Sequence, residues 1–305
     1  MASLRPPPLD PNLYYSLMLR SLTSAISGLQ SFQQQMDVIG NNVANVNTTA
    51  FKSARVELAD AFSQTLQSSS AGSGGNSGTP GMQIGCGVVI QAINNIYSQG
   101  ALARTGVGTD LAVSGSGYFV VRNTLDNNTY VTRAGDFRVD QAGYLVTNGG
   151  LRVQGYSDAA LSTMGDIVID TTGMPPSAPP APSMVSFAIS VDGKINVSLS
   201  NGSQFVRGQI LMQNFTDPQG LMKESNNLYS GIGAAGPLGG AASPTPAPPG
   251  TNGMGTIQAG ALELSNVDLA SEFTNLITTQ RAYQANARVI TTSDEMLQEL
   301  VNLKR

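Results

Sequence analysis

The sequence predicts an α+β protein in which long N- and C-terminal helices, paired as a coiled coil, accompany a mainly antiparallel, all-β middle domain. Apolar residues recur at helical spacing from Leu22 to Val46 and again from Asn266 to Leu303. Between these segments the hydrophobic period falls to two, in sequence rich in Gly, Asn, Ser and Thr. A helix with one apolar stripe needs a partner to cover it. Two such helices at the ends of one chain favour a structural building block over an enzyme.

The N-terminal helix is predicted from apolar residues that advance three or four positions at a time. They are Leu22, Ile26, Leu29, Phe32, Met36, Ile39 and Val43. Residues 1–17 contain four prolines, so we expect them to be a disordered extension, or the product of a start codon chosen too far upstream. Residues 18–46, together with 263–305, form the predicted helical domain.

The C-terminal helix has the clearest pattern, because its spacing of four and then three residues is typical of a heptad seam. The apolar and aromatic seam positions are Leu269, Phe273, Leu276, Tyr283, Ala287, Ile290, Leu297 and Val301. Asn266 or Ser265 can cap the start of this helix. The plain interpretation is a helical hairpin that closes the core of one molecule. We favour the alternative, in which the two seams also pack against copies of the same chain, because the outer faces carry few charges.

The middle of the chain is predicted to contain a linker and a β domain. Residues 47–82 end in a Gly- and Ser-rich run that is typical of a linker or mobile segment. The β domain covers 83–262, with Pro- and Gly-rich loops at 157–184 and 236–252. Within it, Asp192-Gly193 and Asn201-Gly202 predict hairpin turns between short strands.

Composition argues against catalysis, bound metals and nucleic acid. The chain of 305 residues has no His, a single Cys (Cys86) and a formal net charge of −4. The commonest general base and metal ligand is therefore missing, and no basic run could hold phosphates. We predict no enzymatic activity, no cofactor and no metal site, and we expect Cys86 to be a small buried residue. No apolar run reaches the ~20 residues that span a bilayer, and residues 1–17 do not form a secretory signal.

Long segments at both ends of the chain resemble a known family. Residues 18–52 are similar to the N-terminus shared by flagellar rod and hook proteins, 262–305 are similar to their C-terminus, and 111–156 resemble their β domain. The residues of the N-terminal family motif are Asn41, Asn42, Ala44, Asn45, Phe51 and Lys52. Three further stretches favour the hook protein over the distal rod protein, namely 55–66, 208–215 and 218–229.

The resemblance implies an extracellular structural subunit that polymerises helically into the flagellar hook. The hook is the flexible joint that transmits torque from motor to filament around a central export channel. The implied partners are further copies of the chain, the distal rod protein, the hook cap, the hook–filament junction proteins and the flagellar type III export apparatus. Export by that apparatus needs no cleavable signal. The alternatives are the distal rod protein of the basal body and, from another class, a secreted adhesin or enzyme with a helical stalk.

Two departures from the family pattern carry expectations of their own. Ala50 stands where the family usually has Gly before Phe51, so a positive φ there would strain the backbone. Segment 157–184 stands where longer relatives insert whole domains, so the resemblance implies a slim hook with little or no outermost domain. A mobile 47–82 segment would let neighbouring subunits slide as the tube bends.

Overall fold

A computed structural model of the chain describes residues 11–71, 77–173, 183–238 and 245–303. Over these residues the protein is α+β, with two long helices and a mainly antiparallel β region, as predicted. Contacts divide the chain into two compact units. Unit 1 comprises the described residues of 1–44, 54–94 and 268–305, and unit 2 comprises those of 45–53 and 95–267.

Unit 1 contains both helices, α1 (Pro11–Ala44) and α2 (Leu269–Leu303). Residues 11–17 are therefore helical, which corrects the predicted irregular extension. Proline is compatible with the first position of a helix, where its missing N–H would have no partner in any case. The rest of that predicted extension, residues 1–10, lies outside the described residues. The Ala270 N–H donates to Asp268 Oδ1 at 3.0 Å, so Asp268 caps α2 in place of the predicted Asn266 or Ser265.

Four strands complete unit 1, and the first two of them lie within the predicted linker. They are β1 (Ala54–Asp60), β2 (Ser63–Gln67), β3 (Met82–Gly85) and β4 (Val88–Asn95). β1 pairs with β4, and β2 pairs antiparallel with β3. Gln, Ser and Thr alternate with few apolar residues in β2, so its strand pattern resembles that of a linker. Cys86 is exposed, contrary to prediction, because it lies in the turn between β3 and β4.

Unit 2 contains the other strands. In chain order they are β5 (Leu102–Arg104), β6 (Leu111–Ser114), β7 (Tyr118–Arg122), β8 (Thr129–Thr132), β9 (Phe137–Val139), β10 (Leu145–Thr147), β11 (Arg152–Tyr156), β12 (Met164–Asp166), β13 (Met184–Ile189), β14 (Lys194–Leu199), β15 (Gln204–Ile210), β16 (Met212–Gln213), β17 (Met222–Lys223), β18 (Leu228–Ser230), β19 (Thr256–Ala259) and β20 (Ala261–Glu263).

The main sheet of unit 2 has twelve strands, counted over the described residues. Its principal path runs β13-β14-β15-β11-β7-β8-β18-β17, and its pairings are antiparallel. β19 pairs with β6 and β20 pairs with β5 in two smaller sheets. The predicted hairpin turns are confirmed, since Gly193 and Gly202 have φ of 78° and 80° between consecutive antiparallel strands. The central parts of the two predicted loops, 174–182 and 239–244, lie outside the described residues.

The hydrophobic core of unit 2 follows the inward alternation of its strands. In β14, Ile195, Val197 and Leu199 are buried while their neighbours are partly exposed. Phe119 and Phe137 meet edge to face with ring centroids 5.1 Å apart. Most of the buried apolar residues among those described belong to unit 2, and their burial is the main favourable term in its folding.

Candidate functional site

α1 and α2 pack against each other in antiparallel orientation. Asn42 Nδ2 donates to Glu272 Oε1 at 3.2 Å. A Cβ built on Gly28 would stand 2.4 Å from Asn286 Nδ2, so Gly28 and Asn286 are also in close contact. Moving back from 42 to 28 on α1 therefore corresponds to moving forward from 272 to 286 on α2, fourteen residues in each case.

The buried positions of the helices are occupied mainly by small and polar side chains. On α2, Glu272, Thr279, Asn286 and Ser293 recur every seven residues, and Thr279 and Ser293 are each 4% exposed. On α1 the most buried positions are Ala25, Gly28, Ser31, Ile39 and Asn42. At about 100° per residue, the buried face of α2 is centred about 60° away from its predicted apolar seam.

The predicted seam residues consequently lie beside the contact between the helices. Ile39 is buried, whereas Ile26, Leu269, Phe273 and Val301 are 41%, 38%, 48% and 57% exposed. The other predicted seam residues are half-buried, namely Leu22, Leu29, Phe32, Met36, Val43, Leu276, Tyr283, Ala287, Ile290 and Leu297. A single copy of the chain therefore leaves much of this apolar surface accessible.

One side of the helix pair contacts the strands of unit 1. Ser31 Oγ donates to Val88 O at 3.5 Å, and the Val88 N–H donates to Ser27 Oγ at 3.4 Å. Leu29 lies between Ser27 and Ser31, and residues two apart on a helix point to nearly opposite sides. The same argument applies on α2, where Phe273 and Ile277 each lie two residues from Asn275, which lines a cavity with residues of β1. Leu29 on α1 and Phe273 and Ile277 on α2 are thus directed away from the strands. We call this surface the apolar flank.

The second group of functional candidates is a buried ion-pair node in unit 2. Lys52 Nζ lies 2.7 Å from Glu263 Oε1, and the two side chains are 1% and 0% exposed. Lys52 Nζ also donates to Ser98 O at 2.8 Å, and the Gly100 N–H donates to Glu263 Oε1 at 2.9 Å. Arg133 Nε lies 3.5 Å from Glu263 Oε2. Burial lowers the pKa of Lys52, and the neighbouring Glu263 carboxylate opposes that shift.

The node ties segment 45–53 to the end of strand β20. The Ala50 N–H donates to Glu263 O at 2.8 Å, and the Ser53 N–H donates to Asn266 Oδ1 at 2.8 Å. Asn266 Nδ2 in turn donates to Ile96 O at 2.7 Å. The chain segments that enter and leave unit 2 are therefore fixed to each other by buried hydrogen bonds.

An aromatic cluster adjoins the node. The rings of Tyr118 and Tyr229 lie 6.0 Å apart, and the Arg133 guanidinium lies 5.5 Å from the centroid of the Tyr118 ring. Burial raises the pKa of both hydroxyls, so both stay protonated in the physiological range. Aromatic rings thus surround Arg133 and Glu263, and we interpret this ion pair as one that stabilises the fold.

The structure assigns distinct environments to the predicted motif residues. Lys52 belongs to the node, and Phe51 is buried with Lys223 Nζ 3.8 Å from its ring centroid. Asn42 bridges α1 to β1 and α2. Thr48 Oγ1 donates to Asn45 Oδ1 at 3.0 Å. The two remaining positions, Asn41 and Ala44, are exposed near the end of α1.

Sequence reasoning missed the partners of these motif residues. Arg133, Glu263 and Asn266 are distant in sequence from Lys52, so spacing does not connect them. One signal was available for Glu263, because it alternates with Ala261 at an inward position of strand β20. An acidic residue at such a position needs a buried partner.

Comparison with known proteins identifies the family. Residues 22–52 match the family described as flagella basal body rod protein, 112–197 match the flagellar hook protein FlgE/F/G D1 domain, and 258–303 match the flagellar basal body rod FlgEFG protein C-terminal family. The flagellar basal-body rod protein FlgG of Bacillus subtilis is 43% identical over 288 residues, which is 94% of this chain and 100% of the relative. The chain belongs to the flagellar rod and hook protein family.

Within this flagellar family, the rod protein of Borreliella burgdorferi is more similar to the chain than the hook protein of the same organism. In Borreliella burgdorferi, the FlgG rod protein is 34% identical over 292 residues and the FlgE hook protein 28% identical over 449 residues. Each alignment covers 94% of this chain and 100% of the relative.

Flagellar rod and hook proteins are structural, so the chain is a structural protein of the flagellum and not an enzyme. In the part of the chain that the structure describes, neither helix is long and apolar enough to cross a membrane. The same residues contain no cluster of acidic, His or Cys side chains that could hold a metal ion.

Proposed function

We propose that the chain is a distal rod subunit of the flagellar basal body, which polymerises helically around a central export channel. The observation that carries this proposal is the full-length similarity to rod proteins, 43% over the whole of the Bacillus subtilis FlgG. The stretches that favoured the hook in the sequence are weaker support, since the hook protein of Borreliella burgdorferi is 28% identical. The rod therefore replaces the hook as the preferred assignment.

The strands of unit 1 support a stiff subunit. The hook interpretation needs residues 47–82 as a mobile segment that lets neighbours slide. Instead, β1 pairs with β4 and β2 pairs with β3. Asn42 holds β1 against α1, because its amide exchanges two hydrogen bonds with the backbone of Ala54 at 2.8 and 3.0 Å. Paired strands resist sliding, which suits a straight drive shaft better than a bending joint.

The apolar flank is the proposed contact between copies. Its exposed members on α2 include Leu269, Phe273 and Ile277, which are 38%, 48% and 52% exposed. A second copy that covers this flank with its own helices would complete a coiled-coil-like layer. At ~25 cal/mol per Å², burial of a few hundred Å² per helix would contribute several kcal/mol before the cost of ordering.

A distal rod subunit would have a defined export route and defined neighbours. The subunit would leave the cell through the flagellar type III export apparatus without a cleavable signal, and its neighbours in the basal body would be copies of itself. The hook protein would follow at the outer end of the rod.

The test is electron cryotomography of basal bodies in a strain that lacks this gene. A distal rod subunit predicts rods that stop short and carry neither hook nor filament. Complete rods that lack hooks would support the hook assignment instead. Filaments on normal hooks would contradict both assignments. Re-expression of the full chain serves as the control and should restore the full rod.

A further inference from the structure

The contact between α1 and α2 contains two specific pairings that lie fourteen residues apart on each helix. We propose that Asn286 against Gly28, and Asn42 with Glu272, set the antiparallel register of the helix pair and thereby align the apolar residues of both helices into one docking surface. The identity of what docks there, a second copy of the chain, rests on the proposed function. The register itself does not.

The apolar pattern alone leaves the register open. Apolar residues repeat every seven positions on both helices, at Leu22, Leu29, Met36 and Val43 on α1 and at Leu269, Leu276, Tyr283 and Ile290 on α2. A slip of one heptad therefore places apolar residues beside apolar residues again. Specificity must come from positions that do not tolerate the slip. Buried polar residues are the best-attested devices of this kind.

Asn286 is one position that does not tolerate the slip, because its side chain fits where Gly28 has no Cβ. A Cβ at position 28 would lie 2.4 Å from Asn286 Nδ2 and 3.3 Å from its Cγ, distances that exclude a side chain unless Asn286 moves. The other glycine of α1, Gly40, has no atom within 4 Å of its Cβ position. The notch that receives Asn286 is thus at Gly28.

Asn42 is the other position that does not tolerate the slip, because of its hydrogen bonds. It is 1% exposed, and its Nδ2 donates both to Glu272 Oε1 at 3.2 Å and to Ala54 O at 2.8 Å. A slip of one heptad in either direction carries Glu272 about 10 Å away from Asn42, since each residue rises about 1.5 Å. The half-buried carboxylate of Glu272 would then lose this hydrogen bond, and the buried amide of Asn42 would lose a partner, which is costly.

The proposed register has a direct consequence for the apolar flank. Residues of the two helices lie level when they are equally far from the Gly28–Asn286 contact. Met36 then lies level with 278, next to Ile277, and Leu29 lies level with 285, between Tyr283 and Ala287. These two apolar residues of α1 are thus set beside apolar residues of α2.

The register can be measured in the full chain with two spin labels. Gln30 and Gln284 lie level and are exposed, so Gln30→Cys and Gln284→Cys, combined with Cys86→Ser, provide the label sites. Double electron–electron resonance would be recorded after dilution with unlabelled protein, so that the distance is within one chain. Sedimentation of the same samples reports assembly separately, so a failure of the proposed function does not obscure the register.

The decisive comparison uses two matched double variants. Loss of both pairings in Asn42→Leu with Asn286→Leu should add a second, longer distance, because a slip of one heptad shifts the two labels about 10 Å apart along the helix axis. The control, Gln34→Leu with Thr278→Leu, changes exposed positions and should keep the single distance of the parent. A single unchanged distance in Asn42→Leu with Asn286→Leu would overturn the proposal.

A swap of the first pair guards against loss of folding. Gly28→Asn with Asn286→Gly moves the side chain to the other helix and keeps the notch at the same level, so the parent distance should return. Circular dichroism shows whether the helices persist. If the Leu variant loses its helices, the swap decides: two or more distances in the swapped chain would refute the assignment of the register to this pair.

Discussion

Ala50 has a left-handed backbone, with φ of 55°, and is 1% exposed. A Cβ in this conformation costs roughly 1–2 kcal/mol because it crowds the following carbonyl. The sequence anticipated this strain, since the family usually has Gly here. The N–H of Ala50 donates to Glu263 O, so the surrounding hydrogen bonds hold the residue in place.

Replacement of Ala50 by Gly should therefore stabilise unit 2. Relief of strain exceeds the entropy that Gly adds to the unfolded chain, and we expect a gain of about 0.5–1 kcal/mol in the free energy of unfolding. Urea denaturation followed by tyrosine fluorescence measures it. The control Ala188→Gly, in strand β13, should lower the stability. Equal losses in both variants would show that Ala50 is not strained.

The Lys52–Glu263 pair is the second feature at this scale. Removal of one partner leaves the other charge buried, so Lys52→Met should lower the stability of unit 2 by about 3–5 kcal/mol. Lys52→Met with Glu263→Met should cost less than the single change, because no charge is left alone. Denaturation of the three chains measures the difference.

A surface pair provides the matched comparison for this prediction. Arg55 and Glu57 lie 2.7 Å apart, but their side chains are 65% and 37% exposed. Arg55→Met should change the stability little, because exposed pairs are solvated and screened. If Lys52→Met were equally mild, the node would not fix segment 45–53.

At the scale of elements, Glu272 makes the helix contact sensitive to pH. Burial raises the pKa of Glu272, the hydrogen bond from Asn42 opposes the shift, and Asp268 adds to it. The folded chain therefore binds the proton more tightly than the unfolded chain does. Stability of the α1–α2 contact should rise as the pH falls through the raised pKa toward about 4.3, the ordinary value for Glu.

Helical circular dichroism during thermal unfolding, at pH 7 and at pH 5, measures this dependence. Glu272→Gln should stabilise the contact at pH 7 and reduce its pH dependence, because the amide carries no charge. Glu299→Gln changes an exposed residue of the same helix and serves as the control. A pH dependence that is identical in Glu272→Gln and the parent would contradict the assignment.

The elements differ in how far the sequence predicted them. The two helices and the hairpin at Asp192-Gly193 follow from periodicity and turn chemistry, which act over a few residues. β2 was not predicted, because its polar residues alternate like a linker and its strand depends on pairing with β3. The face of α2 that meets α1 was also not predicted. The two helices approach each other closely there, so small residues such as Thr279 and Ser293 occupy the contact. A search for apolar periodicity does not detect small polar side chains.

The buried node escaped the sequence for a different reason. Lys52 and Glu263 are 211 residues apart, and their meeting depends on the path of the chain through unit 2. The family motif pointed to Lys52 without naming its partner. Local rules thus predicted the elements, and the tertiary path determined which polar residues meet.

At the scale of the whole molecule, the chain leaves large apolar side chains in contact with solvent. Phe273, Ile277 and Val301 on α2 are 48%, 52% and 57% exposed. Phe273 and Ile277 lie one helical turn apart, and a soluble monomer rarely exposes a contiguous apolar patch without a binding role. We interpret the apolar flank as the surface that copies of the chain bury when they form a rod.

The most direct test of this interpretation is assembly of purified full-length chains, followed by sedimentation and electron microscopy. Phe273→Ser with Ile277→Ser should leave the circular dichroism unchanged, because both side chains are exposed, and should abolish rods. Leu125→Ser, at a residue of unit 2 that is 92% exposed, is the control and should assemble like the parent. Rods of normal length and stability from Phe273→Ser with Ile277→Ser would contradict the account.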